Sequence, residues 1–337
     1  MRQHTLPRNR RTACWLALAA FTLILSPTTV RAQTDASAWP TYPVKLVVPF
    51  PAGGGADTQA RMIAERLSQE WKQPVTPENV SGAGGAVAAN AVARSKPDGQ
   101  TLFFATHPIL AISPFMTKKL PYDPVKDFTP VIKLIEAPLV LLVPVASPVR
   151  TVADLVRLAK EKPGSINFGS GGIGTTQHLA GELLKLGADI DMTHVPYRGN
   201  AQTAAALITN EIQMHFDGVP SAVAQIKGGR VRGIAVTSKK RLTSVPELPT
   251  LSETLPDFEV SLAYGLLVPA GTPADVVAKI NRSANAAIRE AAYTKRISGE
   301  GATIEGGTPK EFADFLARER AKWGPLIKRL NIEAEKT

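Results

Sequence analysis

The sequence predicts an α/β fold built on two sheets, and three observations carry that expectation. Eight apolar runs, at residues 44–50, 101–106, 139–145, 166–170, 192–197, 211–217, 232–238 and 259–268, are continuous rather than alternating, which suits strands buried on both faces of a parallel sheet. Amphipathic segments separate them. Neither a repeat of solenoid period nor a low-complexity tract interrupts the alternation.

The intervening segments have readable helix starts. Over 57–72, Ala60, Ile63, Ala64, Leu67 and Trp71 recur at helical spacing and form one apolar face. Thr151 and Asp154 form a T-x-x-D capping box ahead of Val152, Leu155 and Ala159. Thr272-Pro273 with Asp275 starts a helix whose face is Val277, Ile280, Ala284, Ala287 and Ala291. Thr308-Pro309 with Glu311 starts another, carrying Phe312, Phe315, Leu316 and Trp323, because proline is favoured at the first helical position.

The charge balance is misleading until the N-terminus is read. The 337 residues carry 39 Lys and Arg against 29 Asp and Glu, a net +10. Residues 1–13 are Arg-rich and free of acids, 14–25 are apolar, and Ser26-Pro27 leads to Val30-Arg31-Ala32. That is the pattern of a secretory signal peptide, 1–32, cleaved near Ala32. The apolar run is too short to span a bilayer. Cleavage removes five arginines and no acid, leaving +5 over 305 residues, so no nucleic-acid partner is expected. Arg10-Arg11 matches a twin-arginine signal only weakly, which favours ordinary Sec export. Cys14, the single cysteine, lies inside the signal. The mature chain therefore has no disulfide, thiol nucleophile or thiolate metal ligand, and a periplasmic location is expected.

Four glycine-rich loops join strands to helices. The first is 51–57 (PAGGGAD), the second 79–85 (NVSGAGG), the third 169–176 (GSGGIGTT) and the fourth 196–200 (PYRGN). A glycine turn exposes backbone amides at a helix N-terminus, which attracts an anion without any basic side chain. The plainer alternative is a tight turn capped by Asp57 or Thr58. Four such loops at the ends of parallel strands converge on one crevice and point to a small anionic ligand.

Enzyme motifs fit poorly. No phosphate-binding G-x-x-x-x-G-K-[ST] occurs, and Pro74 and Pro77 stand where a dinucleotide fingerprint would need a strand. Phe168 replaces the first glycine of a G-x-S-x-G frame around Ser170. His178 and Glu182, at i and i+4, fit either a metal or, more simply, a helix-surface contact. His107, His194 and His215 read as polar contacts at the cleft edge. Asp217 either accepts from a ligand amine or caps a loop. No enzyme activity, cofactor or metal is expected.

Together, the segments 42–61, 78–85, 96–102 (KPDGQTL), 120–131 (LPYDPVKDFTPV), 168–183, 194–199 (HVPYRG) and 266–273 (LLVPAGTP) resemble the extracytoplasmic solute receptors of the tripartite tricarboxylate transporter family, the Bug-type receptors, from about 42 to 332. The resemblance implies a type II periplasmic-binding-protein fold of two α/β lobes joined by two crossing segments. Lobe 1 would be 40–137 plus 262–337 and lobe 2 would be 138–261. It implies a ligand from among di- and tricarboxylates, acidic amino acids or aromatic acids, and a monomer that delivers it to a two-component membrane permease. The alternatives are a sensor signalling to a membrane kinase and an exported hydrolase. Carried over by position, ligand contacts would come from Phe50, Ala52, Gly53, Gly54, Asp57, Asn79 and His107 on the first lobe. The second lobe would give Ser170, Gly171, Gly174, Thr175, His178, Tyr197, Gly199 and Asp217. Backbone amides would hold a carboxylate, and the side chains at 107, 175 and 217 would select the rest. Where relatives often carry tryptophan, this chain has Ala263, which either opens room in the cleft or repacks the hinge.

Overall fold

The computed structural model describes Met1 and residues 39–333 other than Gly54, Arg198 and Glu300. The expected signal peptide and its cleavage point lie outside the described residues. From Pro40 onward the chain is one compact unit. Its strands are β1 (Val44–Val48), β2 (Val75–Asn79), β3 (Thr101–Thr106), β4 (Phe128–Pro144), β5 (Asn167–Ser170), β6 (Thr193–Pro196), β7 (Met214–Gly218), β8 (Val231–Val236), β9 (Ser261–Pro269) and β10 (Thr303–Ile304). Its α-helices are α1 (Gly55–Trp71), α2 (Ala86–Ala93), α3 (His107–Ala111), α4 (Ser113–Met116), α5 (Val152–Glu161), α6 (Thr176–Ala188), α7 (Asn200–Ile208), α8 (Val219–Lys227), α9 (Ala274–Ala287), α10 (Ala291–Gly299) and α11 (Pro309–Leu330). None of the described helices is long and apolar enough to cross a membrane.

The strands follow one path, β2-β1-β3-β9-β4-β7-β5-β6, with β10 and β8 each paired to β4. The expected purely parallel sheets are corrected: β1–β3 are mutually parallel, as are β5–β7, but β9 runs against β3 and β4, and β7 and β8 run against β4. β4 belongs to both halves. Its first part pairs with β9 from Phe128 to Pro138, and its last part pairs with β7 and β8 from Leu139 onward. Only 139–145 stood out in the sequence, because Pro130, Lys133, Glu136 and Pro138 interrupt the earlier part. β2 was excluded on Pro77. It forms nonetheless because it is an edge strand paired only to β1, where a missing N–H leaves no partner unserved.

Local signals place several helices. Thr151–Asp154 and Thr308–Glu311 both form reciprocal capping boxes. The Thr272 start is displaced: that hydroxyl bonds the Pro269 carbonyl, Pro273 is the N-cap and α9 begins at Ala274. Helix α11 draws the halves together. Its Trp323, Leu326 and Ile327 share a buried cluster with Ile112 and Met116 and with Phe168, Leu179 and Leu184 of the β5–α6 region.

Candidate functional site

The register of β4 fixes where the glycine loops meet. Thr106, the last residue of β3, lies opposite Tyr264, which lies opposite Ile135 of β4. Gly218, the last residue of β7, lies opposite Leu139 of the same strand. The carboxyl ends of the two parallel strand sets therefore approach one another along β4, with three residues between their registers, four steps or about 13 Å at strand rise. All four glycine loops follow strands of these two sets and lie at these two edges.

On the first edge the loop is closed by its own carboxylate. Asp57, 3% exposed in the first turn of α1, accepts from Gly53 N–H, Arg61 Nε and Asn79 Nδ2, each at 2.9 Å. Asn79 also donates to the Phe50 carbonyl at 3.0 Å. Arg61 and these hydrogen bonds hold the Asp57 carboxyl down at about 2. Asp57 thus caps the loop, and the Gly53 amide assigned to the ligand donates to it. Asn79 and the Phe50 carbonyl are likewise engaged within the loop, whereas Ala52 is exposed. Gly54 lies outside the described residues. Arg61 was missed, although its spacing of four from Asp57 on a helix was a signal in plain view.

His107 departs furthest from its expected place. It is 1% exposed, accepts from the Ala263 N–H at 3.1 Å through Nδ1, and turns Nε2 toward Glu319 at 3.4 Å. Burial pushes it down to about 3. Its neutral ring ties the end of β3 to β9 and α11 instead of reaching the cleft. Ala263 is fully buried in β9, opposite Glu136 of β4.

On the second edge the expected side chains brace the loops. Ser170, fully buried, bonds the Gly172 carbonyl at 2.9 Å and His194 Nε2 at 2.7 Å. Thr175 donates to the Gly172 carbonyl and caps α6 through His178 N–H. His178 Nδ1 accepts from Gly174 N–H at 3.0 Å, and its ring stacks on His194 with centroids 3.8 Å apart. Burial lowers these histidines to about 3 and about 4 respectively. Tyr197 turns its hydroxyl to Glu211 at 2.9 Å, and burial together with that carboxylate raises it to about 12. Asp217 is fully buried among Asn200, Gly218 and Gln225. Ser170, Thr175, His178, Tyr197 and Asp217 thus brace the loops through hydrogen bonds to other protein groups. Gly199 N–H is engaged by the Gly171 carbonyl, and a Cβ on Gly171 would lie 3.2 Å from Asn200 N, so the third and fourth loops touch backbone to backbone. Gln177, which donates to Asn200 Oδ1, and Asn200 itself were missed. Each opens a helix directly after a glycine loop, and that position was the available signal.

The cleft also presents unclaimed helix starts. Helices α2, α7 and α8 begin at Gly85, Gly199 and Gly218, none with a side-chain cap. First-turn amides left without an internal acceptor favour a negative charge placed there, although at α2 the Ala86 N–H already bonds the Ala83 carbonyl and at α8 Pro220 has no N–H to offer. Among all described residues no group of three His, Cys, Asp or Glu side chains could hold a metal.

Residues 59–332 match the model of the tripartite tricarboxylate transporter family receptor. A protein of the tcbD–tcbE intergenic region of Pseudomonas sp. strain P51 is 36% identical over 94% of both chains. Among solved structures, Rhodopseudomonas palustris Rpa4515 with adipate is 34% identical over 88% of this chain and 99% of its own, with a TM-score of 0.74. MatC of the same organism, with bound malate, is 31% identical over 86% of this chain and all of its own, with a TM-score of 0.71.

Proposed function

Because the chain belongs to the tripartite tricarboxylate transporter receptor family, whose members are solute-binding receptors of two-lobed fold, we propose that it captures a small carboxylate in the periplasm and delivers it to a two-component membrane permease. The observation that carries this reading is the convergence of helix starts without side-chain caps on both sides of the 13 Å interval of β4. An anion lying there replaces the missing caps and bridges the two edges, so binding and closure become one event. Lobes of 40–137 plus 262–337 and of 138–261 would move about β4 and β9. The loops expose backbone amides at helix starts, which suits charge-assisted hydrogen bonds to a carboxylate. The adipate and malate found in similar receptors support the same class.

The test is thermal unfolding of the refolded protein against di- and tricarboxylates, acidic amino acids and aromatic acids. Refolding first removes any ligand retained from the host. A ligand at about 100 times its dissociation constant adds roughly 2.7 kcal/mol, a shift of a few degrees at this size. A selective shift with one acid class is the expected result. No shift with any acid would overturn the carboxylate reading.

A further inference from the structure

Asp217 closes β7 with its carboxylate fully buried and surrounded by donors. Oδ1 accepts from Asn200 Nδ2 at 2.9 Å and from Gly218 N–H at 2.8 Å, and Oδ2 accepts from Gln225 Nε2 at 3.0 Å. Among the described residues no lysine or arginine pairs with it. The group facing it is His215, whose Nε2 lies 3.9 Å away and whose burial favours the neutral ring.

A carboxylate ringed by three N–H groups acts only as an acceptor. Asn200 must therefore present its amide nitrogen to Asp217, which leaves its Oδ1 for Gln177, and Gln177 must answer with its own nitrogen, here at 3.1 Å. Two carboxamides that shape alone would allow either way round are set one way by a single buried charge. Both are half-buried, Gln177 in the first turn of α6 and Asn200 at the first position of α7, where the third and fourth loops touch. Each carboxamide nitrogen keeps a second N–H outside the relay, next to the α7 start that has no side-chain cap.

We propose that Gln177 and Asn200 are specificity-determining residues of the cleft and that Asp217 is the positioning residue that sets their polarity. Their spare N–H groups favour a ligand whose far end carries an oxygen acceptor over one whose far end is hydrocarbon. The proposal rests on the carboxylate reading above and adds to it a choice between ligands that share the first carboxylate.

Calorimetric titration of the purified, refolded protein separates the two. Straight-chain diacids of four to six carbons are compared with monoacids of equal length, in wild type and in Gln177→Leu, Asn200→Ala and Asp217→Asn. Wild type should prefer the best diacid over its monoacid by about tenfold or more. Gln177→Leu and Asn200→Ala should each cut that ratio about fivefold, the worth of one hydrogen bond, with monoacid affinity unchanged. Asp217→Asn should cut it too, although position 217 is buried, because an amide there no longer dictates the relay. Equal wild-type affinity for diacid and monoacid overturns the proposal and leaves the carboxylate reading standing. So does an unchanged ratio in Gln177→Leu and Asn200→Ala, or a parallel loss of both affinities. Failure of wild type to bind any of these acids overturns the proposal, and the carboxylate reading falls with it only if the wider acid panel also gives no shift.

Discussion

The two edges of the cleft use a buried carboxylate differently. Both carry glycine loops running into helices, yet Asp57 at the first takes the amide of its glycine loop, while Asp217 at the second takes the Gly218 amide and two side-chain carboxamides. Asp57 takes the Gly53 amide and gathers Arg61 and Asn79 around it. Across the cleft, α7 and α8 begin with glycine and no cap, and the side chains nearby serve to hold the loops in place. A glycine loop at a helix N-terminus thus marks where amides are exposed by the backbone, and a carboxylate four residues later decides whether they stay exposed.

Acid should break this comparison most strongly. Of the four described histidines with lowered values, His178, His194 and His215 belong to the second edge and only His107 to the first. A histidine held below its usual 6.5 binds fewer protons folded than unfolded between the two values. Its stabilisation is therefore complete above about 6.5 and is lost as pH falls toward the folded value. At pH 5, His107 alone costs about 2 kcal/mol. Urea unfolding should weaken steadily from pH 7 to 5, and hydrogen exchange should show residues 166–218 losing protection before residues 44–106. Simultaneous loss would mean that the histidine stack is not what makes the second edge sensitive.

Next in size is Asp57→Ala, which strips the first edge of its internal anion. Losing the hydrogen bonds that it accepts from Gly53, Arg61 and Asn79 should cost about 2 kcal/mol in urea unfolding, and Asp57→Asn should recover part of it. A loss below 0.5 kcal/mol, taken as about the noise of a surface substitution, would show that the loop holds itself. Gly53→Ala should cost about 1–2 kcal/mol, because φ is +84° there while the space for a Cβ is open. Strain with room to spare should lower stability and leave loop position unchanged, which a crystal structure of the variant would check. The smallest effect sits away from both edges: Thr151→Ala removes one side of a capping box on α5 and should cost about 1 kcal/mol in thermal unfolding with no change in ligand affinity.

What could be read from sequence divides by distance along the chain. Thr151 with Asp154 and Thr308 with Glu311 were legible because each box closes within four residues. Asp57 could be narrowed only to ligand or cap: two of its donors, Gly53 and Arg61, are four residues away, but the third, Asn79, is 22 residues away. His107 was misplaced because its partners, Ala263 and Glu319, return to it from the far end of the chain. The early part of β4 was missed for a different reason. It passes between two sheet halves, so its burial follows neither the alternation of a half-exposed strand nor the unbroken apolarity of a buried one.

The position of β9 has a consequence for the order in which the molecule can be assembled. It lies between β3 and β4 in the sheet, yet it is made after β5 to β8. When a growing or emerging chain has delivered residues 40–144, β3 and β4 exist with a gap between them the width of one strand. The half containing β5 to β8 can finish pairing first, and the half that began first must wait for residue 269 to become complete. Until then the apolar edges of β3 and β4 remain open, and any helper that keeps this chain from sticking to itself has its work set out in that interval.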